Sequence, residues 1–135
     1  MKNRTEAARR WFEQDVHSLA VTRVHVEKGF WSDACFRAEQ PAQTALQVFL
    51  YGQDLRYIPV DSIAELATGA ASIDVALAPV VEWGGNLLDK YSIPARYPDA
   101  LAPPAGPYKS FTEEEVRPAL DYAEQIIALV QPRLP

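Results

Sequence analysis

The sequence is poor in the residues that fasten small folds together or do chemistry in them. It has one cysteine, Cys35, and two histidines, His17 and His25. A single thiol forms no disulfide within the chain, which excludes a disulfide scaffold and fits a reducing compartment, so a cytoplasmic location is expected. The two histidines stand eight residues apart with no cysteine near either, so no metal site and no cofactor are expected. No run of apolar residues approaches the length of a membrane span, and Met1–Glu6 carries basic residues without an apolar run behind them, so neither a membrane segment nor a targeting signal is expected. Basic charge is in deficit: 13 Lys and Arg stand against 18 Asp and Glu, a net charge of −5. That balance lacks the footprint of an autonomous nucleic-acid binder, and RNA binding would need a local patch or a partner. There is no glycine-rich phosphate loop between strand and helix and no workable Ser-His-Asp order, so no catalytic residues are assigned from these signatures.

What the chain does have is helical periodicity. Its 135 residues form one domain by length, residues 1–135, large enough to fold around a single core without a metal or disulfide. From Thr5 to about Glu27, the residues Ala8, Trp11, Phe12, Leu19 and Val26 share one helical face, and Asp15 falls among them. A carboxylate in an apolar stripe must find a donor or raise its pKa, and an arginine partner is the expected solution. A second helix is expected from Trp31 to Tyr51, with an alanine-rich face of Trp31, Ala34, Cys35, Ala38, Ala42, Ala45, Leu46 and Phe49 that lets neighbours approach closely. This predicts the central helix, with Pro41 kinking it rather than dividing it. Cys35 is read as inert core. Phe36 and Leu50 fall off that face and suggest a second buried side, such as a dimer contact.

Gly52 is expected to end this helix. Asp61 or Ser62 would cap a short third helix through Ala67, with Thr68–Ser72 as a loop. A fourth helix is expected from Ile73 to about Lys90, weakened by Pro79 and Gly84-Gly85. The last helix has the clearest start: Thr112 and Glu115 spell a capping box, and Phe111 can staple onto Val116. No alternating strand pattern and no internal repeat is present. The expected fold is all-α, an antiparallel up-down bundle of four long helices plus a short one.

Between the fourth and last helices runs Tyr91-Ser-Ile-Pro-Ala-Arg-Tyr-Pro-Asp99. Pro94 and Pro98 restrict the backbone on both sides of Arg96 and Tyr97, which predicts a stiff corner presenting those side chains. Arg96 can grip a phosphate or carboxylate with two hydrogen bonds, Tyr97 can stack on a base, and Asp99 can accept from a base or a ribose hydroxyl. The competing reading is that Arg96 is a strut paired with Asp15. Gln40 and Gln43, on the flank of the second helix, can bond a ligand or simply face solvent.

Trp11 with Asp15-Val16, the run from Ala38 through Glu39-Gln40-Pro41-Ala42-Gln43-Thr44-Ala45 to Leu46, Asp61-Ser62-Ile63-Ala64-Glu65-Leu66, and Tyr91 with Arg96-Tyr97-Pro98-Asp99 together resemble one family, the HEPN domain. The resemblance runs from about Ala8 to Val130. It implies a four- or five-helix bundle, usually a homodimer, encoded beside a minimal nucleotidyltransferase and often acting in toxin–antitoxin pairs. Some members are ribonucleases, with an arginine followed four to six residues later by a histidine in the later helices. This chain has no histidine after His25. Its formal substitute, Arg10 with His17, lies on the first helix. Where the family often carries an acid and lysines after its glutamine pair, this chain has Pro41, Gln43, Thr44 and Gln47, and Asp61 replaces the family's histidine. These replacements remove cations and titratable groups from the surface that would hold a phosphate or act on RNA. The expectation is therefore a non-catalytic module binding a nucleotide or a nucleotidyltransferase partner, through Arg96, Tyr97, Asp99, Gln40 and Asp61. The alternatives are a divergent ribonuclease toxin using Arg10 and His17, and a structural homodimer without a ligand.

Overall fold

A computed structural model of the chain describes residues 4–53, 62–83 and 111–134. Almost all of these are helical, and no strand occurs among them. Among the described residues five α-helices follow in order: α1 (Arg4–Glu27), α2 (Trp31–Gly52), α3 (Ile63–Ile73), α4 (Ala78–Trp83) and α5 (Glu113–Val130), with short 3-10 turns at Val75–Leu77 and Gln131–Arg133. The all-α bundle expected from the periodicity is the fold. Its N-terminal half is an antiparallel hairpin whose turn is made by Gly29. Gly29 adopts φ 75°, and Phe30 N–H reaches back to the carbonyl of His25 at 2.9 Å, so a left-handed residue closes the end of α1.

α2 is the centre of the bundle. It packs against α1, α3 and α5, and its alanines Ala34, Ala38, Ala42 and Ala45 are fully buried beside Leu46 and Phe49. Small side chains let the neighbouring axes come close, while Leu46, Phe49, Ile63, Leu66 and Ile126 fill the space between. Pro41 sits inside α2 without dividing it. Leu50, expected at a second buried face between copies, is covered within the chain: α3 lies over it, and a methyl placed on Gly69 would meet Leu50 Cδ2 at 3.9 Å.

The later helices depart from the expected boundaries. Ser62 is the N-cap of α3, its hydroxyl accepting the Glu65 N–H at 3.2 Å, and the helix continues to Ile73 through the supposed loop Thr68–Ser72. Its polar residues bond their own helix, Thr68 Oγ1 to Ala64 O at 2.8 Å and Ser72 Oγ to Gly69 O at 2.6 Å, so they do not break it. Ile73 ends α3 rather than opening the fourth helix, and it is exposed. Asp74 then turns to extended geometry and accepts the N–H of Ala76, which starts the 3-10 turn. Pro79 falls in the first turn of α4, where no backbone donor is needed, so it begins the helix instead of weakening it. The remainder of the expected fourth helix, with Gly84-Gly85, lies outside the described residues.

α5 starts where Thr112 and Glu115 predict, yet the box is incomplete: the Thr112 hydroxyl bonds Glu115 Oε1 at 3.3 Å and caps no backbone N–H. Phe111 and Val116 both enter the core. No described helix is long and apolar enough to cross a membrane.

Candidate functional site

A groove opens between the N-terminal turns of α1 and the C-terminal half of α2. Ala7 and Ala8 are too short to fill the space opposite Val48, and an open groove of about 420 Å³ results. Trp11 stands at its rim, 60% exposed, instead of on the buried face that its spacing predicts. The other wall is one stripe of α2, namely Gln40, Gln43, Thr44, Gln47 and Tyr51, spaced so that they stack turn upon turn. The described lining has indole, phenol, amide and hydroxyl groups but no lysine, arginine or carboxylate. Such a surface can stack on a planar ring and hydrogen-bond its edge, but it supplies no charge against a phosphate.

Behind this wall lies Asp15, 3% exposed. Its Oδ1 accepts a hydrogen bond from Thr44 Oγ1, and its Oδ2 has no hydrogen-bond partner among the described residues. Among the described residues its hydrogen-bond partner is this threonine hydroxyl on α2. Burial pushes the Asp15 carboxyl up to about 7, against the lowering effect of the Thr44 bond. A second buried carboxyl, Glu39, is 1% exposed and accepts from Gln40 Nε2 at 2.6 Å. Periodicity misses Glu39, because a charged residue beside an alanine face reads as solvated. The stripe of residues 40, 43, 47 and 51 is legible as a helical face, but only the hollow beside Ala7 and Ala8 makes it a groove.

Of the five residues expected to bind, Gln40 alone is described, and it lines the groove. Arg96, Tyr97, Asp99 and Asp61 lie outside the described residues, as does the supposed pairing of Arg96. Arg10 and His17 are both exposed on α1 and rise about 10 Å apart along its axis, with no contact joining them. His25 bonds the Val21 carbonyl through Nδ1 at 2.9 Å and packs edge-on against Phe30. Cys35 is fully buried, and burial together with the nearby Glu115 charge pushes its thiol up to about 12, so it is inert. No group of three histidine, cysteine or acidic side chains fit to hold a metal occurs among the described residues.

The fold has solved counterparts. The chain is similar to the crystal structure of TT1696 from Thermus thermophilus, at 35% identity and a TM-score of 0.83, over 94% of this chain and 98% of that one. It is also similar to ST0689, described as an archaeal HEPN homologue, at 26% identity and a TM-score of 0.77 over the whole of both chains. No curated protein matches. The family model described as the HEPN domain matches residues 8–133, nearly the full length, so the chain belongs to the HEPN domain family.

Proposed function

We propose that this chain is a non-catalytic HEPN module that binds a nucleotide along the groove between α1 and α2. The observation that carries this reading is the groove itself. Its volume falls in the range of small-molecule sites, and its lining pairs two aromatic rings, Trp11 and Tyr51, with the carboxamides of Gln40, Gln43 and Gln47. Rings stack on a base whatever its identity, and carboxamides match the donor and acceptor edge of one. Because the described lining has no cation, the charge for a phosphate must come from elsewhere in the chain. Arg96 is the proposed supplier, with Tyr97 and Asp99 beside it and Asp61 as a further polar contact. The separation of Arg10 from His17 supports a binding role over a ribonuclease role, since neither can reach a proton the other would share.

A second reading has its own support. An uncharged groove with a tryptophan 60% exposed at its rim also suits a protein partner, because tryptophan anchors interfaces and charge is depleted at their centres. In that reading the partner is a minimal nucleotidyltransferase, as in a toxin–antitoxin pair, and the module acts as a homodimer.

Thermal unfolding with a panel of nucleotides tests the first reading, since a ligand that binds only the folded chain raises its midpoint. The expected result is a rise with at least one nucleotide, lost in both Trp11→Ala and Arg96→Ala. A midpoint unmoved by every nucleotide overturns it in favour of the protein partner.

A further inference from the structure

The contact between Asp15 and Thr44 has more acceptors than hydrogens. Thr44 Oγ1 carries one proton, yet three acceptors surround it: Asp15 Oδ1, the carbonyl of Gln40 at 3.1 Å and the carbonyl of Pro41 at 3.4 Å. A hydroxyl donates to one of these at a time. When Asp15 is ionised, the hydroxyl must turn to it, because this is the only hydrogen bond that the Asp15 carboxylate receives among the described residues. With a proton taken from solvent onto Oδ1, Asp15 becomes the donor. Thr44 Oγ1 then accepts from it and is free to give its own hydrogen to the Gln40 carbonyl. The neutral arrangement satisfies both donors in series and leaves only a carbonyl-like Oδ2 unpaired, whereas the ionised one leaves a charge with half of its oxygens bare.

We infer that Asp15 and Thr44 form a proton-operated latch across the α1–α2 seam, a two-bond relay from α1 to the α2 backbone when protonated and a single bond to a buried charge when not. Thr44 also lines the groove, so its hydroxyl carries the change in protonation to the groove wall.

The surroundings leave the latch under its own control. On α1 the adjacent turns present Trp11, Phe12, Ser18 and Leu19, none charged. On α2 the buried titratable group is Glu39, already bonded to Gln40. On α5, Glu124 is engaged with Arg23 at 3.1 Å and the charge of Glu115 falls on Cys35. Among the described residues, the influences on Asp15 are burial, which raises it, and the Thr44 bond, which lowers it.

The test is a carbon-13 titration of the aspartate side-chain carboxyls in the full chain across the acid-to-neutral range, with Asp15 assigned through the backbone. Asp15 is expected to titrate near 7 rather than near the ordinary value of about 4. In Thr44→Val its midpoint is expected to move higher still, because the ionised form loses its donor. Unfolding of the wild type against Asp15→Asn gives a second readout: the wild-type midpoint should fall relative to the variant as pH rises from about 4 to about 7, the unfolded and folded values of the carboxyl. A carboxyl that titrates near its ordinary value overturns the proposal. So does a midpoint that Thr44→Val leaves in place, even if Asp15→Asn fails to fold.

Discussion

Arg133 donates from Nε to Asp74 Oδ2 at 2.6 Å, while Asp74 Oδ1 accepts the backbone N–H of Ala76 at 3.0 Å. One carboxylate thereby caps the 3-10 turn after α3 and holds the turn that follows α5. Arg133 also reaches the Leu129 carbonyl at 2.7 Å, so it closes the end of its own helix as well.

The Ala76 N–H, followed by the Arg133 bond, holds the Asp74 carboxyl below its usual value. A carboxylate lowered on folding stabilises above its unfolded pKa, about 4, and that stabilisation is lost as pH falls through its lowered value. Arg133→Ala is therefore expected to lower the thermal midpoint at neutral pH, with the gap to wild type closing in strong acid. Paired melts at the two pH values check this. A gap of equal size at both would show that packing, not charge, is what Arg133 provides.

Core and groove should respond differently to truncation. Leu46 is fully buried in the C-terminal half of α2, and Leu46→Ala is expected to destabilise by about 2–5 kcal/mol through lost burial and the cavity left behind. Trp11 is larger but mostly exposed, so Trp11→Ala is expected to stay within about 0.5 kcal/mol of wild type. Denaturant unfolding of both variants measures the contrast. A large loss in Trp11→Ala would place the indole in the core.

Gly29 is held at φ 75°, where a side chain is disfavoured by the backbone alone. A methyl there would meet the Trp31 ring at 3.6 Å, an ordinary contact, so strain rather than collision sets the effect. Gly29→Ala is expected to cost about 1–2 kcal/mol, and Gly29→Asn less, since asparagine tolerates the left-handed region better. Urea midpoints of the pair test the ordering.

Local chemistry was legible wherever a residue acts on its own neighbours. Ser62, one of the two candidate caps, starts α3, Thr112 precedes α5, and the alanine face of α2 makes it the central helix. Sequence reasoning fails where a polar residue or a proline is taken as a breaker. Thr68 and Ser72 return their hydroxyls to their own helix, and Pro79 stands in a first turn that asks no donor of it.

Residues within a few positions of one another carry helical period and end chemistry, and these alone were enough for an all-α bundle and for a carboxylate in the apolar stripe of α1. Tertiary structure decided that Asp15 meets Thr44, that Trp11 turns outward and that residues 40, 43, 47 and 51 wall a groove. The reason is geometric. Period marks which residues share a face, but how wide an arc of that face is covered depends on the size and distance of the opposing side chains, and Ala7 and Ala8 leave theirs open.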